Sequence, residues 1–374
     1  MTKVRYYFYQ TVGVNPLECL RSWNSHPMYQ VKRGLSIRFV CLLWGLIIIN
    51  CTSLVYAQTL EELESLTNER FTFLSNTLGA RAKGLGTAFV AIADDGSAIA
   101  NNPAGIAQIR ASQLNVNRPL SNLGKSTEGL FIYVQPVGER QSVGASIYSN
   151  HPSGDNIPEG NLEQIFNVAY AWQLEADSKI YVGLGGKVFS KDGPISFNGV
   201  ALDLGIFAQP IGQNIILGLV GQNFGPDVKL NYNSGLLQSF VEADITPPVQ
   251  REIPFNFRFG MAYHSQIFTF PYRIAGQVDK STLSSFVRGS IGGEILFGNM
   301  LAMRGGYTAE SEAGQDFSLG MGIRFHLMKI GYTYINREHH DNRHEAYLII
   351  DFPSQVPKRR RTPSTTSLFP TVFR

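Results

Sequence analysis

Alternation of apolar with polar or very small side chains recurs in segment after segment from Gln113 onward. No other feature limits the available folds so strongly. In "FNFRFGMAY", Phe255, Phe257, Phe259, Met261 and Tyr263 fall on one side, and Asn256, Arg258, Gly260 and Ala262 on the other. "FSLGMGIRF" repeats the scheme, with Phe317, Leu319, Met321, Ile323 and Phe325 set against Ser318, Gly320, Gly322 and Arg324. Successive side chains of a strand point to opposite faces, so a period of two reads as a strand with one greasy and one polar face. About fourteen such segments follow one another between residues 113 and 352, and no amphipathic helix interrupts them.

The connections alternate as well. Short ones such as "VGER" and "PIGQ" take turns with longer polar ones such as "HPSGDNIPEGN" and "REHHDNRH", and two connections are intermediate. Short turns on the periplasmic side, long loops outside and an even strand number are the pattern of outer-membrane barrels. A soluble sandwich also alternates, but does not tie loop length to strand parity. Lipid offers the backbone no hydrogen bonds, so strands can cross it only as a closed sheet. The expected fold is therefore all-β: a 14-stranded antiparallel transmembrane β-barrel, its first strand starting in the periplasm.

The ends define the remaining organisation. Lys32, Arg33 and Arg38 precede the apolar run "FVCLLWGLIII", and Val55-Tyr56-Ala57 offers a cleavage site. The run is shorter than the roughly 20 residues of a spanning helix, so it reads as an export signal with Met28 as the natural start. Cys19, Cys41 and Cys51 all precede that cleavage site, so the exported chain has no thiol for a disulfide, a metal or catalysis. The expected divisions are 1–57, extension and signal peptide; 58–112, periplasmic lead and N-terminal hatch; 113–352, barrel; 353–374, a basic, Pro-rich tail. A formal charge of +3 concentrated at the ends argues against nucleic acid as a partner.

Catalytic and cofactor chemistry find little support. Gly84-Leu85-Gly86 resembles the start of a dinucleotide loop, but Phe89 stands where a third glycine belongs and no βαβ unit surrounds it. His339, His340 and His344 with Asp341 lie in a loop between strands, where a four-residue spacing does not put ligands on one face. The expectation is no enzyme, no cofactor and no metal.

Alternation turns Lys187, Asp203, Arg258, Arg273, Arg288, Glu294, Arg304 and Arg324 away from lipid, where each charge at the midplane would cost roughly 2–4 kcal/mol. Six bases against two acids among these call for something negative in the lumen. The stretch "GARAKGLGTAFVAIADDGSAIANNPAGIA", residues 79–107, is small, apolar and carries Asp94 and Asp95. It is expected to plug the barrel, its aspartates pairing with arginines such as Arg304 or Arg324. In the connection 224–254, Leu236, Leu237, Phe240 and Val241 form a candidate exposed apolar patch for an external partner.

Phe73-Leu74, Ala80-Arg81-Ala82 with Gly84 and Gly86, Ala93-Asp94-Asp95 and Asn102-Pro103-Ala104-Gly105 together resemble the N-terminal signature of the PorV/PorQ proteins, relatives of the FadL outer-membrane transporters. "VALDLGIFAQP", "IPFNFRFGMAY" and "GGEILFGNMLAMRGGY" resemble that family's strands, so the likeness runs from Phe71 to Phe352. The resemblance implies a fourteen-stranded barrel with an N-terminal hatch in the outer membrane. For PorV-like members it implies carriage of the C-terminal domains of secreted cargo for a type IX secretion system. For FadL-like members it implies uptake of hydrophobic small molecules such as long-chain fatty acids. The first is the leading expectation and the second the alternative, with outer-membrane lipid around a monomeric barrel in either case.

Overall fold

The computed structural model describes residues 71–120, 126–152, 162–174, 179–193, 195–209, 214–232, 249–282, 287–298, 300–310, 314–338 and 341–352. The proposed signal peptide, the tail 353–374, and Leu236, Leu237, Phe240 and Val241 lie outside these residues.

Among the described residues sixteen strands form one sheet: β1 (Ser112–Pro119), β2 (Ser126–Gly138), β3 (Gln141–Pro152), β4 (Leu162–Gln173), β5 (Ile180–Asp192), β6 (Ile195–Ala208), β7 (Ile215–Phe224), β8 (Val228–Tyr232), β9 (Val249–Arg251), β10 (Asn256–Ile267), β11 (Phe270–Ser281), β12 (Val287–Phe297), β13 (Leu301–Glu310), β14 (Gly314–Phe325), β15 (Met328–Arg337) and β16 (Arg343–Phe352). Each wall strand pairs antiparallel with its neighbours, β1 pairs with β16, and β5 pairs with β6, so the sheet closes on itself. With β8 and β9 outside the ring, fourteen strands make the wall. Wall strands run from 8 to 14 residues, which brackets the length needed to cross a bilayer at a tilt.

The outer face is what makes this wall a membrane structure. Phe257, Phe259, Met261 and Tyr263 on β10, and Leu319, Met321 and Ile323 on β14, are each about half exposed, and comparable side chains recur around the ring. In water such a continuous apolar girdle would be an aggregation surface; in lipid it is the solvated face. The fold is that of an outer-membrane β-barrel.

One end of the ring carries two-residue turns, Glu139–Arg140, Phe268–Thr269 and His326–Leu327. By the usual asymmetry this is the periplasmic end. The β10–β11 turn falls at Phe268–Thr269, because pairing continues to Ile267↔Phe270.

The stretch expected to be one long loop after β7 contains structure. Leu202 is paired with Phe224, but beyond it β6 turns to β8, through Ile195↔Tyr232 and Ser196↔Asn231, and β9 pairs with β8. "VKLNY" alternates like the other strands, but five residues are too few to stand out among loop residues. Val228 and Leu230 are buried with Phe189, Phe197 and Ile253.

Residues 71–110 fill the bore. They form α1 (Thr72–Ser75), α2 (Ala80–Lys83), α3 (Ala98–Asn101) and a 3-10 turn at Pro103–Gln108, linked by irregular chain. The segment runs through the lumen. Near the long-connection end the Asn256 amide donates to Ser75 Oγ (2.9 Å), and at the periplasmic end Arg110 Nη1 donates to the Glu139 carbonyl (2.6 Å).

Candidate functional site

The hatch is held to the wall in two ways, and the first is steric. A Cβ added at Gly306 would lie 1.9 Å from the Gly86 nitrogen, one at Gly292 would lie 2.1 Å from the Leu85 oxygen, and one at Gly183 would lie 2.2 Å from the Ala104 nitrogen. Gly205 and Gly218 stand in the same relation to Asn102 Oδ1 (2.3 Å) and the Val90 oxygen (2.4 Å). Inward glycines on β5, β6, β7, β12 and β13 thus let hatch backbone lie directly against wall backbone, a use of glycine that any side chain would prevent. Gly86 is needed twice over, since it also has φ +58°.

Backbone groups freed by the irregular hatch are paired by wall and hatch side chains, as buried polar groups must be. Gln277 Oε1 accepts from the Phe89 and Val90 nitrogens (3.0 and 2.9 Å). Thr333 Oγ1 donates to the Ala80 oxygen and Thr308 Oγ1 to the Gly86 oxygen. Asn102 caps the 3-10 turn by accepting from the Ala104 nitrogen, while its amide donates to the Val90 and Ile206 oxygens.

The second hold is electrostatic and centres on Arg81. Its Nη1 lies 2.6 Å from Asp94 Oδ1 and 2.7 Å from Asp95 Oδ2, and its Nη2 lies 3.1 Å from Glu294 Oε2 on β12. Arg273 on β11 bridges Asp94 (2.9 Å) and Glu294 (2.6 Å), and Arg304 on β13 reaches Glu294 Oε1 at 2.5 Å. Three guanidiniums face three carboxylates, all largely buried, so the group is neutral. Burial works to raise the Asp94 carboxyl, but Arg273 and Arg81 outweigh it and hold the group below its ordinary value. Removing one member of such a set strands a buried charge, which costs about 3–5 kcal/mol.

The aspartates therefore do not pair with Arg304 or Arg324. Asp94 takes Arg81 from its own segment and Arg273 from the wall, because α2 folds Arg81 back over Asp94 and Asp95. Arg304 is committed to Glu294, and Arg324 Nε makes a long contact (3.4 Å) to the His326 oxygen in the periplasmic turn. Of the other inward charges, Lys187 and Asp203 pair with each other (2.9 Å), Arg288 pairs with Glu310 (2.9 Å), and Arg258 donates to the Ser75 oxygen (2.5 Å).

The expected excess of lumenal bases narrows once further inward charges are counted. Glu128, Glu163, Glu310, Glu345 and Asp351 add carboxylates that pair with wall or hatch bases, and three of those partners, Arg343, Lys191 and Lys329, are further inward wall bases. They stand near strand ends, where alternation is less legible.

Of the remaining hatch positions, Ala80, Pro103, Ala104 and Gly105 are buried. A Cβ at Gly105 would meet the Ala93 oxygen at 2.1 Å, and one at Gly84 would meet Thr333 Oγ1 at 2.9 Å.

The lumen is not uniformly wet, contrary to expectation. On β10 to β16 its wall is mainly polar and charged. On β2 to β6 apolar side chains are more frequent, namely Leu130, Ile132 and Val134, then Ile165, Ala169 and Ala171, then Phe189 and Phe197, but buried Ser142, Ser146, Asn167 and the Lys187–Asp203 pair lie among them. These side chains and the hatch residues Phe71, Phe73, Leu78, Ile99, Ile106 and Ile109 form one buried apolar cluster. Near the long-connection end the cluster is aromatic, with Phe71 4.8 Å from Phe197 and Phe73 6.4 Å from Phe189 between ring centres. Among the described residues no group of three or more His, Cys, Asp and Glu side chains is placed to hold a metal ion.

A family profile described as "Uncharacterised protein family (UPF0164)" matches residues 51–188, a span that contains the hatch, β1 to β4 and most of β5. No curated protein matches the sequence. Among solved structures the chain is similar to a Pseudomonas aeruginosa FadL homologue, at TM-score 0.48 and 12% identity over 74% of this chain and 99% of that one. It is also similar to the P. putida toluene transporter TodX, at TM-score 0.46 and 13% identity over 74% of this chain and 98% of that one. The KdgM porin is more distant, at TM-score 0.34 and 8% identity over 65% and 99%. The closed ring of paired strands establishes the fold independently of these likenesses.

Proposed function

We propose that the protein is an outer-membrane channel of the FadL-like kind, passing apolar small molecules along the seam between the hatch and strands β2 to β6. The observation that carries this reading is the continuous buried apolar cluster from Phe71, Phe73, Phe189 and Phe197 down to Ile99, Ile106 and Ile109. A solute following it lies mainly against hydrocarbon side chains, with Ser146, Asn167 and the Lys187–Asp203 pair as polar breaks, and keeps much of the transfer free energy of roughly 25 cal/mol per Å² of apolar surface. A sugar or ion on the same path would lose its water while gaining few partners. The seam is packed, so passage requires the hatch side chains to shift locally while the charge cluster on the opposite wall keeps the segment in place. The secretion reading has no support among the described residues, since its candidate contact patch lies outside them.

The test is uptake of a labelled monoaromatic hydrocarbon and of a labelled disaccharide by cells expressing the full chain at matched outer-membrane levels. The hydrocarbon should enter faster than in cells without the protein, and Ile165→Asp, which puts a carboxylate in the seam, should reduce that gain several-fold. Entry of the disaccharide with no gain for the hydrocarbon would overturn the reading.

A further inference from the structure

Near the long-connection end, two charges of opposite sign stand side by side on the wall and are not joined. Arg258 on β10 and Asp279 on β11 are directly opposed in the antiparallel register. Their Cβ atoms are therefore about 5 Å apart, on the same inward face. Arg258 Nη2 donates to the Ser75 carbonyl of α1 (2.5 Å), while its Nε and Nη1 are shielded from solvent and have no hydrogen-bond partner. Asp279 Oδ1 accepts from Gln277 Nε2 (2.8 Å), and its Oδ2 is shielded and unpartnered in the same way. Arg288, the neighbour of Asp279 on β12, is committed to Glu310.

A buried donor or acceptor left unmade costs more than its bond contributes when made, and opposite charges within reach form the stronger kind of bond. What holds these two apart is the hatch. The Ser75 carbonyl takes the one guanidinium nitrogen that is bonded, and the Ser75 hydroxyl exchanges hydrogen bonds with Asn256 on the same strand. α1 thus draws Arg258 away from a partner already in place. The Arg81 cluster is built the other way. There the hatch brings charges of both signs to the wall, and withdrawing it would strand parts of Glu294 and Arg273. At α1 it brings only a carbonyl and a hydroxyl, and the charge left behind has Asp279 to turn to.

We propose that Arg258 and Asp279 form a latch at the external mouth. When α1 lifts, Arg258 leaves the Ser75 carbonyl and closes on Asp279 Oδ2, while residues 80–108 stay anchored. Asp279 keeps Oδ1 for Gln277 in both states, and Gln277 keeps the Phe89 and Val90 nitrogens. Lifting α1 uncovers Phe71 and Phe73 at the end of the apolar cluster, so the use of the latch in transport rests on the channel reading; the exchange of partners does not.

The experiment is a double-mutant cycle read by cysteine labelling. Leu74 on α1 is 4% exposed, so in Leu74→Cys a reagent reaches the thiol only while α1 is lifted, and the rate reports the open population. Cells expressing the full chain with this change are treated with a membrane-impermeant maleimide, without solute, and peptide mass spectrometry follows modification at position 74. Asp279→Asn keeps an oxygen for Gln277 but not the charge, and should slow labelling on the order of tenfold, the loss of one charge-assisted bond in the open state. In an Arg258→Gln background the same change should have no effect. Asp279→Glu, which retains the charge, should label at close to the parent rate, and circular dichroism melts in detergent establish that each variant is folded. A carboxylate that only braces Gln277 would speed labelling when removed, equally in both backgrounds. That result would overturn the proposal, as would an unchanged rate in Asp279→Asn or a Glu variant as slow as Asn. Because no solute is present, failed uptake would leave a positive result standing, and a negative one would leave the uptake reading to its own test.

Discussion

Gly86 and Gly306 meet backbone to backbone, so closely that a Cβ on Gly306 would stand 1.9 Å from the Gly86 nitrogen. The contact joins a hatch residue in a left-handed conformation to the middle of a wall strand. It means the hatch is seated against the barrel without a layer of side chains between them. The fit is local and stiff, and it can be broken by a single methyl group.

Gly306→Ala is therefore expected to lift the hatch off β13, at a cost in the range of about 1–3 kcal/mol typical of overpacking. Gly289→Ala on β12 adds the same methyl where nothing lies within 4 Å and should leave stability unchanged. Thermal unfolding of the two variants in detergent, followed by circular dichroism, measures the difference.

Glu294 accepts from Arg81, Arg273 and Arg304 at once. Glu294→Gln leaves three buried guanidiniums facing only two carboxylates, and the hatch should loosen while the wall, held by its own ladders, persists. Single-channel recording in planar bilayers should show larger or more frequent ion conductance than wild type. An unchanged, quiet trace would mean that the cluster does not seat the hatch.

The same cluster predicts an acid dependence. Asp94 has its folded value lowered, so its contribution is fully present above the ordinary aspartate value of about 4 and is lost as pH falls through the lower folded value. Protection of the hatch from an acid-stable protease should hold at neutral pH and fall away only below about pH 4. In Asp94→Asn the part of this fall due to Asp94 should disappear, protection being reduced at every pH.

Asn102 is fully buried and satisfies three backbone groups with one side chain. Asn102→Ala should cost about 1–2 kcal/mol, combining a lost cap with unpaired carbonyls. Amide hydrogen exchange should rise first at residues 103–108 and not in the wall.

The wall was legible because its signal is local. Phe257, Phe259, Met261 and Tyr263 must face lipid together, and a slip of one residue would send Arg258 there instead. Inward charges such as Arg258 and Glu294 follow from the same alternation. The partners of Asp94 were not legible, since Arg81 reaches it only after α2 turns back, and nothing in the intervening sequence states that turn. The hairpin of β8 and β9 was hidden by its brevity.

Sequence by itself determined a ring of alternating strands and a small-residue segment suited to lie within it, because period, parity and the cost of charge in lipid act on each strand separately. Only the tertiary structure decided which wall glycine meets which hatch residue, that the apolar hatch side chains gather against β2 to β6, and that the Arg81–Glu294 charge cluster forms on β11 to β13. Those facts depend on how a folded segment is turned inside a closed wall. That orientation is set by packing and by charge pairing between residues as far apart as Arg81 and Glu294, and no local pattern encodes it.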